Sequence, residues 1–322
     1  MTHFKTKPAS LVGAPISAEE CRQLKAAFKE RYPDQVPSVF LSREIILSSI
    51  QGLPNVSGIQ FVYGLDNAAD PGSRRIILIP TRNRVDGESS AIRIVSPNGF
   101  VCENGERVNL DQFFTLLGNH VENIKRIETE IALSRLPKGY FWGIKKILKL
   151  LEVENCAGLV FHFGYNPAMP TAAQQFQNVL EVVDATFESL NVYMEYGQCF
   201  CCVDPNPCSG DCVVSIAAEK YLKDADSKLD ALRAFRDEWL LQQKDGQALY
   251  EMYYFLSPNI VAEIQNKPNQ DVIWEQVYNG FSKCLDLVKQ NKYEEVKAYY
   301  INLMHNLANR FLLQENEVNA MG

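Results

Sequence analysis

One stretch of this chain occurs twice, and it restricts the fold more than any other feature. Phe40 to Asp66 and Tyr140 to Asn166 align without a gap at an offset of 100 residues. Asn55, Gly58, Phe61 and Gly64 meet Asn155, Gly158, Phe161 and Gly164. In both copies an amphipathic helical pattern feeds a strand of the form Asn-x-x-Gly-apolar-x-Phe-x-aromatic-Gly. The matches fall on turn and strand positions, where few residue types satisfy the backbone. The expected fold class is α+β: a duplicated helix–strand unit with small, mostly antiparallel sheets, followed by an all-helical C-terminal region. Alternation predicts that Ile59, Phe61 and Tyr63 face the helices while Gln60 and Val62 face outward. His162 then lies opposite Val62, where a lone strand histidine is ordinarily structural.

Around the repeat the local signals are conventional. Ser17 and Glu20 form a capping box ahead of a helix whose buried face is Cys21, Leu24 and Phe28. Helices are predicted from about Ser42 to Gln51 and, capped by Asn109, from Leu110 to Leu136. Arg75 to Ile79, Ala91 to Val95 and Phe100 to Cys102 read as strands, and Val179 to Phe187 as a return strand or a helix. After residue 221 the pattern is helical. Leu222, Ala225, Leu229, Leu232 and Trp239 make one stripe, with Arg233 and Asp237 as i,i+4 partners. Ser257-Pro258 reads as an N-cap with a first-turn proline, so a new helix should begin there. The expected organisation is 1–136 as a first α+β unit, 137–198 as a second repeat unit, 199–221 as a connector and 222–322 as a helical region.

The connector holds Cys199, Cys201, Cys202, Cys208 and Cys212, five of the nine cysteines. Cys199 with Cys202 and Cys208 with Cys212 are paired at spacings that four zinc-bound thiolates could use, with Cys201 as a non-ligand. Reduced thiols in a compact loop and disulfides are the other two readings. Cys212 also precedes a helical stretch, where the dipole favours a thiolate, so a nucleophilic role stands as a fourth.

Two resemblances extend this reading. Gly13-Ala-Pro-Ile-Ser17, the helix after it and the unit from Phe40 to Arg82 resemble a group of small uncharacterised proteins from Bacteroidetes. That resemblance implies no reaction. Cys212-Val-Val-Ser-Ile-Ala-Ala218, Leu232-Arg-Ala-Phe-Arg-Asp237, Tyr253-Tyr254 and Ser257-Pro258 resemble the carboxy-terminal domain named for its Cys-Phe-Ile box. Val213 and Val214 replace the Phe-Ile pair, and Glu219-Lys220-Tyr221 alters the usual tyrosine-glycine. The resemblance implies a small helical domain without transferable catalytic residues.

A net charge of −7 and a pI near 5.3 oppose broad binding to nucleic acid or anionic lipid. No run approaches the roughly 18 apolar residues of a membrane span, and MTHFKTKPAS lacks the apolar core of a signal peptide. The expected address is the cytoplasm. Phosphate loops, dinucleotide fingerprints, nucleophile elbows and His-Glu-x-x-His motifs do not occur. The expected function is a non-catalytic interaction or assembly module that binds a protein partner or itself, anchored by Tyr250, Tyr253 and Tyr254. The alternative is a thiol- or zinc-dependent enzyme centred on the Cys199–Cys212 connector, with zinc as its cofactor.

Overall fold

Each copy of the repeated stretch begins one element earlier than its apolar pattern suggests. The computed structural model describes residues 9–53, 55–83, 92–94, 100–128, 138–170, 172–195, 198–199, 212–222 and 225–312. They fall into two units, Met1–Pro205 and Asn206–Gly322. The first unit opens with β1 (Ala14–Pro15), α1 (Ala18–Arg31), β2 (Ser38–Ser42), α2 (Arg43–Ile50), β3 (Gly58–Leu65) and β4 (Arg74–Asn83). It continues with β5 (Ile92–Ile94), β6 (Phe100–Cys102), β7 (Arg107–Val108) and α3 (Leu110–Ile127). Then come β8 (Gly139–Gly143), α4 (Ile144–Leu151), β9 (Gly158–Tyr165), α5 (Ala172–Gln175), β10 (Phe176–Val183), β11 (Ser189–Glu195) and β12 (Gln198–Cys199).

The succession strand, helix, strand, strand therefore occurs twice, as β2-α2-β3-β4 and β8-α4-β9-β10. The two copies exchange their first strands. β2 pairs with β9, Ser42 opposite Gly158, and β8 pairs with β3, Gly143 opposite Gly58. Two antiparallel sheets result, ordered β1-β11-β10-β9-β2 and β12-β8-β3-β4-β6-β7, with β5 on β4. Residues before and after position 136 thus contribute to both sheets. The gap-free alignment needs one correction. The helices start at Arg43 and Ile144 but the following strands at Gly58 and Gly158, so the first copy carries one more loop residue. That residue lies before the asparagine: Asn55 (φ 56°) and Asn155 (φ 62°) both sit three positions ahead of their strand in the left-handed conformation asparagine tolerates.

The two sheets face each other across one apolar core. Ile59, Phe61 and Tyr63 on β3 meet Leu159, Phe161 and Phe163 on β9, with Phe61 and Phe161 fully buried and their rings stacked at 5.8 Å. These side chains point at the opposite sheet rather than at helices. Gln60 and Val62, expected outside, are buried because α3 covers the other face of β3, bringing Leu116 against Gly64. On the far sheet α1 does the same, with Leu24 against Gly164. The layer order is α3, sheet, sheet, α1, while Ile46 of α2 and Ile147 and Leu150 of α4 join the core. α3 ends at Ile127, where Glu128 caps it and ties back to Arg31 and Tyr32 of the α1 end, and Ile127 is 40% exposed; residues 129–136 of the expected helix lie outside the described residues.

The second unit comprises α6 (Val213–Tyr221), α7 (Ala225–Ala234), α8 (Gly246–Gln265), α9 (Gln270–Lys289) and α10 (Tyr293–Phe311). α7 runs into a π-helical turn, Phe235–Trp239, then a 3-10 turn, Leu240–Gln242. No new helix starts at Ser257-Pro258. α8 continues through Pro258, because the Ser257 hydroxyl is engaged elsewhere: it accepts the Val213 N–H at 2.6 Å and caps α6 from a neighbouring helix. No described helix is long and apolar enough to cross a membrane.

Candidate functional site: a tyrosine-lined cavity

Within the helical unit a cavity of about 90 Å³ lies among α6, α7, α8, α9 and α10. Its apolar wall includes Leu229, Leu249, Phe281 and Val296, and its polar groups include Cys212, Tyr250, Tyr253, Tyr254, Tyr300 and Arg236. The sequence explains how these groups converge. Tyr250, Tyr253 and Tyr254 are spaced three and four apart on α8 and so share one face. Cys212 is the N-cap residue of α6, only 4% exposed, and its sulfur meets the Tyr253 hydroxyl in a short hydrogen bond.

The π turn positions the cation. It advances the chain by an extra residue per turn, which keeps Phe235 and Trp239 stacked at 5.4 Å and turns Arg236 toward α8. Asp237 grips the guanidinium at both ends, Nε to Oδ1 at 2.6 Å and Nη2 to Oδ2 at 2.8 Å, and Nη1 donates to the Tyr254 hydroxyl at 2.5 Å. The expected Arg233–Asp237 pair does not form, since the turn breaks the α-helical spacing between them. Arg233 pairs instead with Asp230 at 2.7 Å.

Electrostatically the cavity is quiet. Burial drives the Tyr253 and Tyr300 phenols well above their ordinary range, with the nearby Cys212 adding to the effect. Burial also raises Tyr250 to about 12 and the Cys284 thiol to about 12. Burial works against Arg236, but the Asp237 carboxylate and the tyrosines outweigh it and hold the charge. Among the described residues the lining contains no histidine and no carboxylate. Its described walls are mostly apolar, with phenolic hydroxyls among them.

Of the four predicted thiolate ligands only Cys212 is described with its side chain. Cys202 and Cys208, like Cys201, lie outside the described residues, and of Cys199 only the backbone is placed, in β12 opposite Tyr140. Tyr254 is buried and Tyr250 half-buried, so both face the cavity rather than standing as surface anchors. Cys284 and Tyr300 escaped the sequence reading because each fits an ordinary apolar helix stripe.

His162 has partners that its sequence neighbourhood conceals. Its Nε2 makes a short hydrogen bond with Glu181 on β10, and Lys25 of α1 lies 3.4 Å from both. The cluster pins α1 to its sheet. Burial would raise the Glu181 carboxyl, but hydrogen bonds from His162 and Ser189 prevail and hold it at about 2. Burial lowers His162, outweighing the opposing pull of Glu181.

No family model matches the chain, and no curated protein or solved structure matches it.

Proposed function

We propose that the protein is a non-catalytic interaction module whose helical unit takes one aliphatic side chain of a protein partner into the tyrosine-lined cavity. The observation that carries this reading is the lining itself: apolar walls, four tyrosines and the clamped Arg236, with no histidine or carboxylate among its described residues. Tyrosine and arginine dominate binding hot spots because they combine buried area with directed hydrogen bonds. Size selects the occupant. A cavity of about 150 Å³ admits benzene, so one of about 90 Å³ suits a branched aliphatic group. The resemblance to the Cys-Phe-Ile-box domain fits this reading, since Cys212, Arg233, Phe235, Arg236, Tyr253 and Tyr254 all line the cavity. A cytoplasmic setting belongs to the proposal, supported by the free, buried thiols of Cys21, Cys102 and Cys284.

Peptide display on the full chain, followed by calorimetry, tests the reading. Selected peptides should share an aliphatic anchor, and Val296→Phe should abolish their binding while near-ultraviolet dichroism stays unchanged. Failure to enrich any peptide, or binding indifferent to Val296→Phe, refutes it.

The second reading, a thiol- or zinc-dependent enzyme, draws on Cys212 at the start of α6 with a phenol against its sulfur. One zinc per chain that disappears on Cys212→Ser, or rapid single-site alkylation of Cys212 at neutral pH, would establish this reading in place of the first. The interaction reading expects slow alkylation, because the sulfur is buried.

A further inference from the structure

Arg74 begins β4, yet its side chain lies inside the sandwich and is 7% exposed. The guanidinium carbon sits 4.4 Å over the Phe163 ring, and Nη2 donates to the Gln35 side-chain oxygen. Nε is buried without an acceptor. No carboxylate of the described residues acts on it; apart from burial, which lowers its pKa to about 10, only Tyr63 does. Arg74 is therefore a cation at neutral pH in a desolvated site, a state strongly disfavoured without a counter-charge. A ring face offsets part of that penalty, not the whole.

The duplication shows that packing does not require these polar groups. Register equates Tyr63 with Phe163, Arg74 with Phe176, and Ile76 with Asn178: Leu65 faces Arg74 as Tyr165 faces Phe176, and Tyr63 faces Ile76 as Phe163 faces Asn178. At each of the three positions one copy is polar and its twin is apolar. Tyr63, Arg74, Asn178, Phe163 and Phe176 nevertheless all line one cavity of about 10 Å³. Asn178 Nδ2 donates to the Tyr63 oxygen, which leaves the phenolic proton to be given elsewhere, and burial keeps that proton on. Gln35 and His120 also belong to the polar lining, and no carboxylate among the described residues belongs to it, so the Arg74 charge faces this space without a counter-ion there.

We propose that this cavity binds one halide-sized anion, held by the Arg74 guanidinium and the Tyr63 hydroxyl where the two repeats meet. About 10 Å³ is the lower limit for a single water-sized occupant, so a halide seats with a small outward adjustment of the Arg74 and Gln35 side chains, while carboxylates and phosphates are excluded. A neutral water could accept the same hydrogen bonds but would leave the charge uncompensated.

The test uses the full chain in sodium gluconate, exchanged stepwise for sodium chloride or bromide at constant ionic strength. The thermal midpoint should rise saturably with halide, and acetate should behave as gluconate does. Tyr63→Phe keeps the ring and removes one hydrogen bond to the ion, so the apparent halide affinity should fall about tenfold. Arg74→Met should abolish the response. Because that variant removes a buried group and could fail to fold, bromide-soaked crystals of the wild type supply a separate reading: an anomalous peak between Arg74 and Tyr63. Identical midpoints in gluconate and chloride, acetate equal to chloride, an unaltered response in Tyr63→Phe, or an empty cavity in the bromide map each overturn the proposal.

Discussion

Four rings of the core pack against Phe161. It stacks on Phe61 and meets Trp142, Tyr63 and Phe163 edge-on, with no exposed surface. Phe161→Ala should lower stability by about 3–5 kcal/mol, measured by chemical denaturation; a loss under 1 kcal/mol would mean the two sheets close over the gap. The Glu181 cluster sets a pH response. Its folded-state carboxyl is held at about 2, below the ordinary 4.5, so its contribution is complete above that ordinary value and disappears as pH falls toward 2. His162, lowered from 6.5, acts in the same direction, since the unfolded chain takes up its proton first as pH falls below 6.5. Stability should therefore decline from neutrality into acid, and Glu181→Gln should flatten the lower part of that curve; parallel curves for both proteins would dissociate Glu181 from acid sensitivity. The histidine itself was visible in the sequence, but Glu181 and Lys25 were not, because they reach it across a hairpin and from a separate helix. Arg74 was visible in principle: it falls in phase with Ile76 and Leu78, on the inward side of its strand.

At the level of elements, strand and helix positions followed from alternation and capping, whereas pairing did not. An alternating segment looks the same whichever neighbour it chooses, so nothing in Phe40–Asp66 announced that β2 would join β9. The glycines carry the trace of that choice. A side chain on Gly58 would strike the Phe141 ring at 2.1 Å, and one on Gly158 the Leu41 carbonyl oxygen at 2.3 Å, each supplied by the other copy. Gly158→Ala should cost about 1–3 kcal/mol by overpacking, readable as a lower denaturation midpoint; a neutral result would show that β2 can retreat. Ser257 offers a similar lesson in the helical unit. Its Ser-Pro signature is a genuine cap signal, but the helix it caps is α6. Ser257→Ala should cost about 1 kcal/mol and speed amide exchange at Val213, while a purely local role in α8 would leave that amide unchanged. The cavity was half legible: Cys212, Arg236, Tyr253 and Tyr254 stood out, but only the π turn reveals that Arg236 clasps Asp237 and Tyr254.

Across the whole molecule, the composition pointed to a globular chain and the repeat to two like segments, and neither could report that those segments are interlaced within the first unit. Ser38 must wait for His162, more than a hundred residues later, before its strand has a partner. Contacts so distant in sequence slow folding, because the loop must close before any of them is rewarded. On the ribosome this becomes a question of order. A nascent chain that has emerged only as far as α3 holds β2 without β9 and β3 without β8, its inward aromatics uncovered, and remains a client for chaperones. Force-profile measurements with an arrest peptide should accordingly show no strong pull until β9 and β10 have cleared the exit tunnel; an early peak at the length of α3 would mean the first half settles alone. A chain braided in this way is born late, and its first half spends its time in the cell's care until the second arrives.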